Sequence, residues 1–184
     1  SSRVRFEKAC ELLLEAFEGE LPLFIQGLGK NIVEEFNNNS AAIEKNIKFV
    51  DKGARSVRPK FPKIEGVPNK LVFGHQVFAL KKGRSVVPHG HNNMATAFMV
   101  LKGNFHGRHY DRMADEKKHM IIKPTIDAKF GPGKTSSISD VKDNVHWFKA
   151  EDEPAYIFNI HVFGLNPGSG KRTSRVYVDP KGEK

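Results

Sequence analysis

Cysteine is almost absent from this 184-residue chain, which contains only Cys10. A single cysteine excludes an intrachain disulfide framework and a zinc site built from several thiolates. Its surroundings, KACELLLEAF, are typical of a buried position on an apolar helix, so we expect a structural role for it. The chain also lacks any apolar run approaching the roughly 18 to 20 residues that span a bilayer, so no membrane span is predicted.

Acidic residues are fewer than basic ones, 21 against 30, which gives a formal net charge of +9. The basic residues are scattered, and no basic helix or nucleic-acid-binding motif accompanies them. The charge therefore indicates a solvated basic surface without a nucleic-acid partner, and it can draw anionic small molecules into a cleft. The opening SSRVRF has no signal-like apolar segment and no initiator Met. We expect a cytoplasmic location by default, and export with a removed signal peptide is also compatible.

The pattern of apolar residues changes near residue 54. Before it, Phe6, Cys10, Leu13, Leu14 and Phe17 recur at helical spacing, and residues 1–53 are predicted to form a helical N-terminal extension. After it, short apolar segments rich in β-branched and aromatic residues alternate with turn residues about every 8 to 12 positions. This rhythm is typical of a β-sandwich or barrel. We therefore expect a mainly β domain over residues 54–184, in a monomer or a homodimer.

Two histidines in VVPHGHNNMATAF stand on either side of one glycine. Alternate side chains of a strand point to the same face, so His89 and His91 can both face one interior. Imidazoles at this spacing on a rigid strand can supply two adjacent ligands to a transition metal. Two further residues, Pro88 and Gly90, suit the start of a strand on which side chains must be aimed. A coincidental pair in a chain with 8 histidines is the alternative interpretation.

The residues around this pair resemble the frame of the cupin superfamily, in which a small β-barrel holds a metal inside. Gly83 precedes the H-x-H pair, Gly103 follows it, and a third histidine, His146, stands in DNVHWF. The resemblance implies a double-stranded β-helix, or jelly-roll barrel. The commonest cupin pattern places a glutamate ligand where this chain has Thr96. Three neutral imidazoles without that carboxylate suit Fe(II) with open coordination positions.

A closer resemblance is to the three-histidine thiol dioxygenases of the cysteamine dioxygenase, plant cysteine oxidase and cysteine dioxygenase type. The run HGHNNMATAFMVLKGNFHGRHYD shares the pair, a following Met94, an apolar strand, a glycine, and a strand that ends in Tyr110 and Asp111. The third ligand of the family stands in an Asn-apolar-His-aromatic context, which DNVHWF matches. The similarity covers about half the chain, over residues 73–165.

This resemblance implies an Fe(II)-dependent dioxygenase that binds its metal through His89, His91 and His146. Its partners would be O2 and a small molecule, a thiol that is oxidised to its sulfinate. Because divalent metals compete for such donors, the purified protein can also carry Ni, Mn, Cu or Zn. The family has an aspartate on the last barrel strand, where this chain has His161, so the substrate preference can differ.

Other residues near the pair are predicted to serve the substrate. An inward arginine can pair with a carboxylate, and a tyrosine hydroxyl can donate to oxygen or sulfur. Because the two histidines of HGRHYDR are separated by three positions, they face opposite sides of a strand, and we favour the first as pocket-lining. The predicted catalytic residues are Tyr110 and His161, and the predicted substrate-binding residues are Arg84, Arg108, His106, Met94 and Thr96.

Two other functions remain open on the residues alone. The same three-histidine centre supports oxidative cleavage of diketone-like substrates without a thiol. A cupin barrel can also bind a metal or small ligand without catalysis, because one fold hosts many functions.

Overall fold

A computed structural model describes residues 55–57 and 74–180 of the chain. The predicted N-terminal helices of residues 1–53, with Cys10, lie outside the described residues. Within the part that is described, no helix is long and apolar enough to cross a membrane.

The described residues form strands joined by short turns, as the segment pattern predicted. The strands are β1 (Arg55–Val57), β2 (Gly74–Leu80), β3 (Ser85–Asn92), β4 (Met94–Lys102), β5 (Phe105–Asp115), β6 (Met120–Phe130), β7 (Thr135–Ile138), β8 (Val145–Ala150), β9 (Ala155–Phe163) and β10 (Ser174–Tyr177). A single turn of 3-10 helix, Pro167–Ser169, precedes the last strand. The prediction of a mainly β domain is confirmed over this part of the chain.

The strands make two antiparallel sheets of five. The first sheet has the order β1-β2-β9-β4-β7 and the second the order β10-β3-β8-β5-β6. From β2 to β5 the chain alternates between the sheets, and it does so again from β6 to β10. This interleaved order is that of a jelly roll, in which strands of one sheet are connected through the other.

Apolar side chains from both sheets meet between them. The strand β4, MATAFMVLK, is buried along almost its whole length, and its alternate members Phe98 and Val100 face the opposite sheet. The core consists of Phe78, Leu80, Phe98, Val100, Phe105, Phe130, Ile138, Phe148, Ala150, Ala155 and Ile157. Because these residues fill one end of the interior, the other end is left for polar side chains.

The two glycines of the sequence frame lie at turns between strands. Gly83 between β2 and β3 has φ +78°, and Gly103 between β4 and β5 has φ +74°. A side chain is strained at such positive φ values, which glycine adopts freely. At Gly103 a Cβ atom would also lie 3.0 Å from Ala155. The two glycines whose spacing resembles the cupin frame therefore lie where the chain reverses direction between strands.

Candidate metal centre

Two neighbouring strands of the second sheet bring the three predicted ligands together. His89 and His91 alternate on β3, and His146 on β8 lies directly opposite His89 in the antiparallel ladder. The ring centroid of His89 lies 4.9 Å from that of His91 and 4.4 Å from that of His146. One ring nitrogen from each histidine lies within 4.8 Å of the others, and all three side chains are buried. The group is compatible with a single bound metal ion.

The hydrogen bonds of these imidazoles fit a metal that binds through Nε2. Nδ1 of His89 donates to the Val87 carbonyl at 2.8 Å, and Nδ1 of His146 contacts the Asn144 carbonyl at 3.3 Å. Nε2 of His91 is buried and has no hydrogen-bond partner among the described residues. Histidine ligands usually hold the ring N–H that faces away from the metal in this way, which fixes the tautomer and the ring direction. A metal would supply the missing partner of His91.

Asn144 holds the backbone of β3 beside the candidate metal ligands. Its Oδ1 accepts from the His91 amide at 3.2 Å, and its Nδ2 donates to the His91 carbonyl and the Ser139 carbonyl, each at 2.9 Å. The side chain reaches β3 beside Gly90, where an added Cβ would lie only 2.6 Å from Asn144 Oδ1. Because Gly90 has no side chain, the Asn144 side chain has room to reach the backbone of His91.

Burial keeps the three imidazoles neutral. Loss of water contact lowers the pKa of His89 to about 4 and that of His91 to about 2, and nearby positive charge adds to both shifts. The pKa of His146 is held well below its usual value, first by burial and then by the other histidines. Since only a neutral imidazole binds a cation, the centre is ready for a metal at neutral pH.

The same pKa shifts predict acid instability of the metal-free protein. Burial also lowers the pKa of His109 and His161 to about 4, so five histidines accept protons near pH 6.5 only when the chain unfolds. Stability should be constant above about pH 7 and fall steadily from about pH 6.5 towards 4, because the unfolded chain binds more protons there. Urea unfolding of the metal-free protein across this range measures the loss. An unfolding free energy that stays constant between about pH 7 and 5 would contradict the account.

A cavity open to solvent adjoins the three histidines. One wall is apolar and is formed by Phe78, Val86, Phe98, Phe148 and Ile157. The polar residues that line it, besides the three histidines, are Thr96, Asn159, His161 and Arg175. No aspartate or glutamate is among these lining residues. No other described strand therefore supplies a carboxylate in place of the glutamate that Thr96 replaces.

Among the other predicted site residues, Thr96 and His161 lie beside the centre. The Thr96 hydroxyl is 2.8 Å from His161 Nδ1 and 3.4 Å from His91 Nδ1. The side chain of Met94 is buried at the start of β4 and is not among the residues that line the cavity.

Four predicted residues lie away from the cavity. Tyr110 stacks on Trp147, with ring centroids 4.9 Å apart, on the face of the second sheet opposite the histidines. Arg108 and His106 both bond to Asp127 on that outer face. The reason is strand alternation, since β5 turns its odd-numbered residues inward. The fourth, Arg84, is exposed in the turn between β2 and β3.

The inward histidine of β5 is His109, the one that the prediction disfavoured. It is fully buried, and its ring centroid lies 6.0 Å from that of His146. The sequence does carry a signal for it, because His109 is four positions from Phe105, and an even spacing puts both on one face. The face of β5 that carries Phe105 must then be recognised as the one that points into the core.

A further residue that the prediction missed is Arg175 on β10. Arg175 pairs with His91 in the β10–β3 ladder, so the two side chains share the inner face of the sheet. Arg175 lines the cavity and is exposed to solvent, which places it at the mouth. No local pattern in KRTSRVYV identifies it, because its place depends on a pairing with a strand more than eighty positions earlier.

The sequence matches no protein-family model and no curated protein. Among solved structures, the chain is similar to a protein with a double-stranded β-helix domain from Klebsiella pneumoniae, with 11% identity over 73% of this chain and 87% of that one, at TM-score 0.45. It is similar to a sugar phosphate isomerase of a cupin superfamily from Silicibacter pomeroyi, with 15% identity over 58% and 57% of the chains, at TM-score 0.40.

A third similarity is to procruciferin, an 11S globulin from Brassica napus, with 11% identity and TM-score 0.43. It covers 58% of this chain, which spans only 22% of the length of that globulin. Because these scores and identities are low, the jelly-roll description rests on the strand order, and the metal centre rests on its own geometry.

Proposed function

We propose that the protein is a cupin-type, Fe(II)-dependent dioxygenase with a three-histidine metal centre that oxidises a small thiol to its sulfinate. The observation that carries the proposal is the set of three neutral imidazoles at one buried point, with no carboxylate among the described residues that line the adjoining cavity. Such a donor set leaves coordination positions for small ligands and suits iron that reacts with oxygen. His89, His91 and His146 would hold the metal through Nε2.

The reaction consumes one thiolate and one O2 and gives one sulfinate, so both oxygen atoms are transferred to sulfur. When bound, Fe(II) would supply the redox chemistry and would favour the thiolate over the thiol. The chain contributes the surroundings. Phe98 and Phe148 cover the inner side of the cavity, where they exclude water from the reacting sulfur. The rings of His89 and His146 contact the carbonyls of Val87 and Asn144, and the backbone amide of His91 donates to the Asn144 side chain.

The cation at the mouth of the cavity favours an anionic substrate. Among the described residues that line the cavity, Arg175 is the only Lys or Arg, and none of them is an aspartate or a glutamate. A guanidinium pairs well with a carboxylate, and the pairing also sets the direction in which the substrate enters. We therefore expect the thiol to carry a carboxylate or a similar anionic group.

Replacing Arg175 with glutamine is expected to raise KM for a carboxylate-bearing thiol about tenfold, because one charge-assisted hydrogen bond contributes roughly 1.4 kcal/mol or more. The turnover number should change less, since the guanidinium is at the mouth and not at the reacting atom. Steady-state O2 uptake measures both constants.

The matched control is Arg108→Gln on the outer face of the same sheet, which removes the same charge and should leave KM unchanged. A thiol without the anionic group should also be insensitive to Arg175→Gln. Equal KM values for the wild type and Arg175→Gln with every anionic thiol would contradict the role of this residue.

The proposed activity is tested by O2 uptake after anaerobic reconstitution with Fe(II). A panel of small thiols with anionic, neutral and cationic ends is compared with β-diketones. We expect uptake with a thiol and one sulfinate formed per O2. Uptake with diketones alone would assign the same centre to carbon–carbon bond cleavage. A protein that binds iron stoichiometrically but reacts with no member of either panel would favour a binding function.

A further inference from the structure

The side of the first sheet that points away from the second sheet is apolar and shielded from water. On β2, β9 and β4, the residues that alternate with the core members lie on this side. The register sets them side by side, with Val77 opposite Phe158 and Ala95 opposite Val162. We call this surface the β2–β9–β4 face and define it by six residues, none more than 6% exposed: Val77, Ala79, Ala95, Ala97, Phe158 and Val162.

No described strand or helix covers the β2–β9–β4 face. All ten described strands belong to the two sheets, the core lies between the sheets, and the 3-10 turn has no buried residue. The outer side of the second sheet is different, because it carries charged side chains in contact with water, such as Arg108 and Asp127 at 41% and 60% exposure. The burial of the β2–β9–β4 face therefore requires a part of the chain outside the described residues.

The chain that precedes β1 enters the fold at the edge of this same sheet, because β1 pairs with β2. Within residues 1–53, an amphipathic segment at residues 6–17 has an apolar side and an acidic side at helical spacing. We call the apolar side the N-terminal stripe, and it consists of Phe6, Cys10, Leu13, Leu14 and Phe17. The acidic side carries Glu7, Glu11 and Glu15.

The N-terminal stripe and the β2–β9–β4 face are complementary in chemistry and in size. An amphipathic segment gains most of its stability by packing its apolar side on another surface. The three alanines of the face leave room for the leucine and phenylalanine side chains of the stripe, since large residues pack well against small ones. The other segments outside the description fit less well. Residues 58–73 are interrupted by Pro59, Pro62 and Pro68, and residues 181–184 are KGEK, without an apolar side chain.

We propose that residues 6–17 dock on the β2–β9–β4 face through the N-terminal stripe and add a third layer to the two sheets. The proposal is independent of the metal centre and of the proposed activity. It gives the N-terminal segment a place next to the site, because β4 and β9 also line the cavity on their other side, through Thr96 and His161. The docked segment supports this wall of the cavity from behind.

Paramagnetic broadening from a nitroxide label tests the docking in the whole 184-residue chain. The label is attached to Glu11→Cys in a Cys10→Ser background, because Glu11 is on the acidic side and a label there points away from the interface. We expect the methyl signals of Ala95 and Ala97 to lose most of their intensity, and those of Ile122 on β6 to keep theirs.

Two further labelled variants make the result specific. Glu15→Cys in the same background places the label on the same acidic side one turn later, and it should give the same pattern. Lys118→Cys, in the exposed turn between β5 and β6, is the control. It should broaden the signals of Ile122 and leave those of Ala95 and Ala97 unchanged.

The outcomes distinguish the possible occupants of the β2–β9–β4 face. If neither Glu11→Cys nor Glu15→Cys broadens the signals of Ala95 and Ala97, the proposal is wrong, and residues 58–73 become the segment to label next. A mixed sample, with the nitroxide and the observed methyl groups on different chains, tests for a second copy. Equal broadening in that sample would overturn docking within one chain. None of these outcomes bears on the three-histidine group, which metal retention tests separately.

Discussion

His146→Ala is expected to abolish stoichiometric metal retention. The substitution removes the only ligand that β8 supplies and leaves two imidazoles on β3, whose ring centroids are 4.9 Å apart. Loss of a partner that merely orients a ligand typically costs 10- to 100-fold in affinity, so loss of a ligand should exceed roughly 100-fold. Metal analysis after anaerobic Fe(II) reconstitution and gel filtration measures retention, and His89→Ala and His91→Ala should give the same result.

The matched control for this prediction is His109→Ala. His109 is as deeply buried as His146 and its ring lies 6.0 Å away, but it is not part of the three-histidine group. Its removal therefore leaves a comparable cavity without removing a ligand. We expect this variant to lose stability and keep its metal. If His146→Ala retained one metal per chain, or if His109→Ala lost the metal equally, the ligand assignment would be wrong.

Asn144→Ala is expected to destabilise the protein by about 3 to 5 kcal/mol. Asn144 is 1% exposed, and its side chain satisfies the backbone amide and carbonyl of His91 and the carbonyl of Ser139. Each buried polar group that is left without a partner costs about 1 to 3 kcal/mol. The folded fraction should also bind metal more weakly, because the backbone that carries His91 is no longer held. Urea unfolding measures the first effect and metal titration the second.

The control for this prediction is Asn104→Ala, which removes the same amide group from an exposed turn, where it bonds to Asp152. Its unfolding free energy should change by well under half as much, because water replaces the lost partner. A cost below about 1 kcal/mol for Asn144→Ala would show that the β3 backbone is held by other contacts.

The candidate ligands could be predicted because their pattern is local. The H-x-H pair on one strand needs only alternation, and the glycines at positive φ mark the turns on either side. The resemblance to cupins then supplied His146, which the β3–β8 ladder places opposite His89. A site residue could be predicted from the sequence where its position depends only on alternation along its own strand.

Thr96 and His161 line the cavity as well, but its cation could not be predicted in the same way, since its position depends on pairing between distant strands. Arg175 reaches the cavity only because β10 pairs with β3, and nothing in its own segment distinguishes it from Arg84 or Arg108. The position of Tyr110 depends on which face of β5 points inward. Tyr110 and His109 are adjacent, so choosing the wrong face of β5 exchanged an outward residue for the inward one.

The most direct test of the proposed function is the fate of oxygen-18 gas in the product. Fe(II)-reconstituted protein is given the thiol that supports the fastest O2 uptake, and the product is analysed by mass spectrometry. The account predicts a sulfinate in which both oxygen atoms come from the labelled gas. A disulfide, or a sulfinate that carries unlabelled oxygen from water, would contradict it.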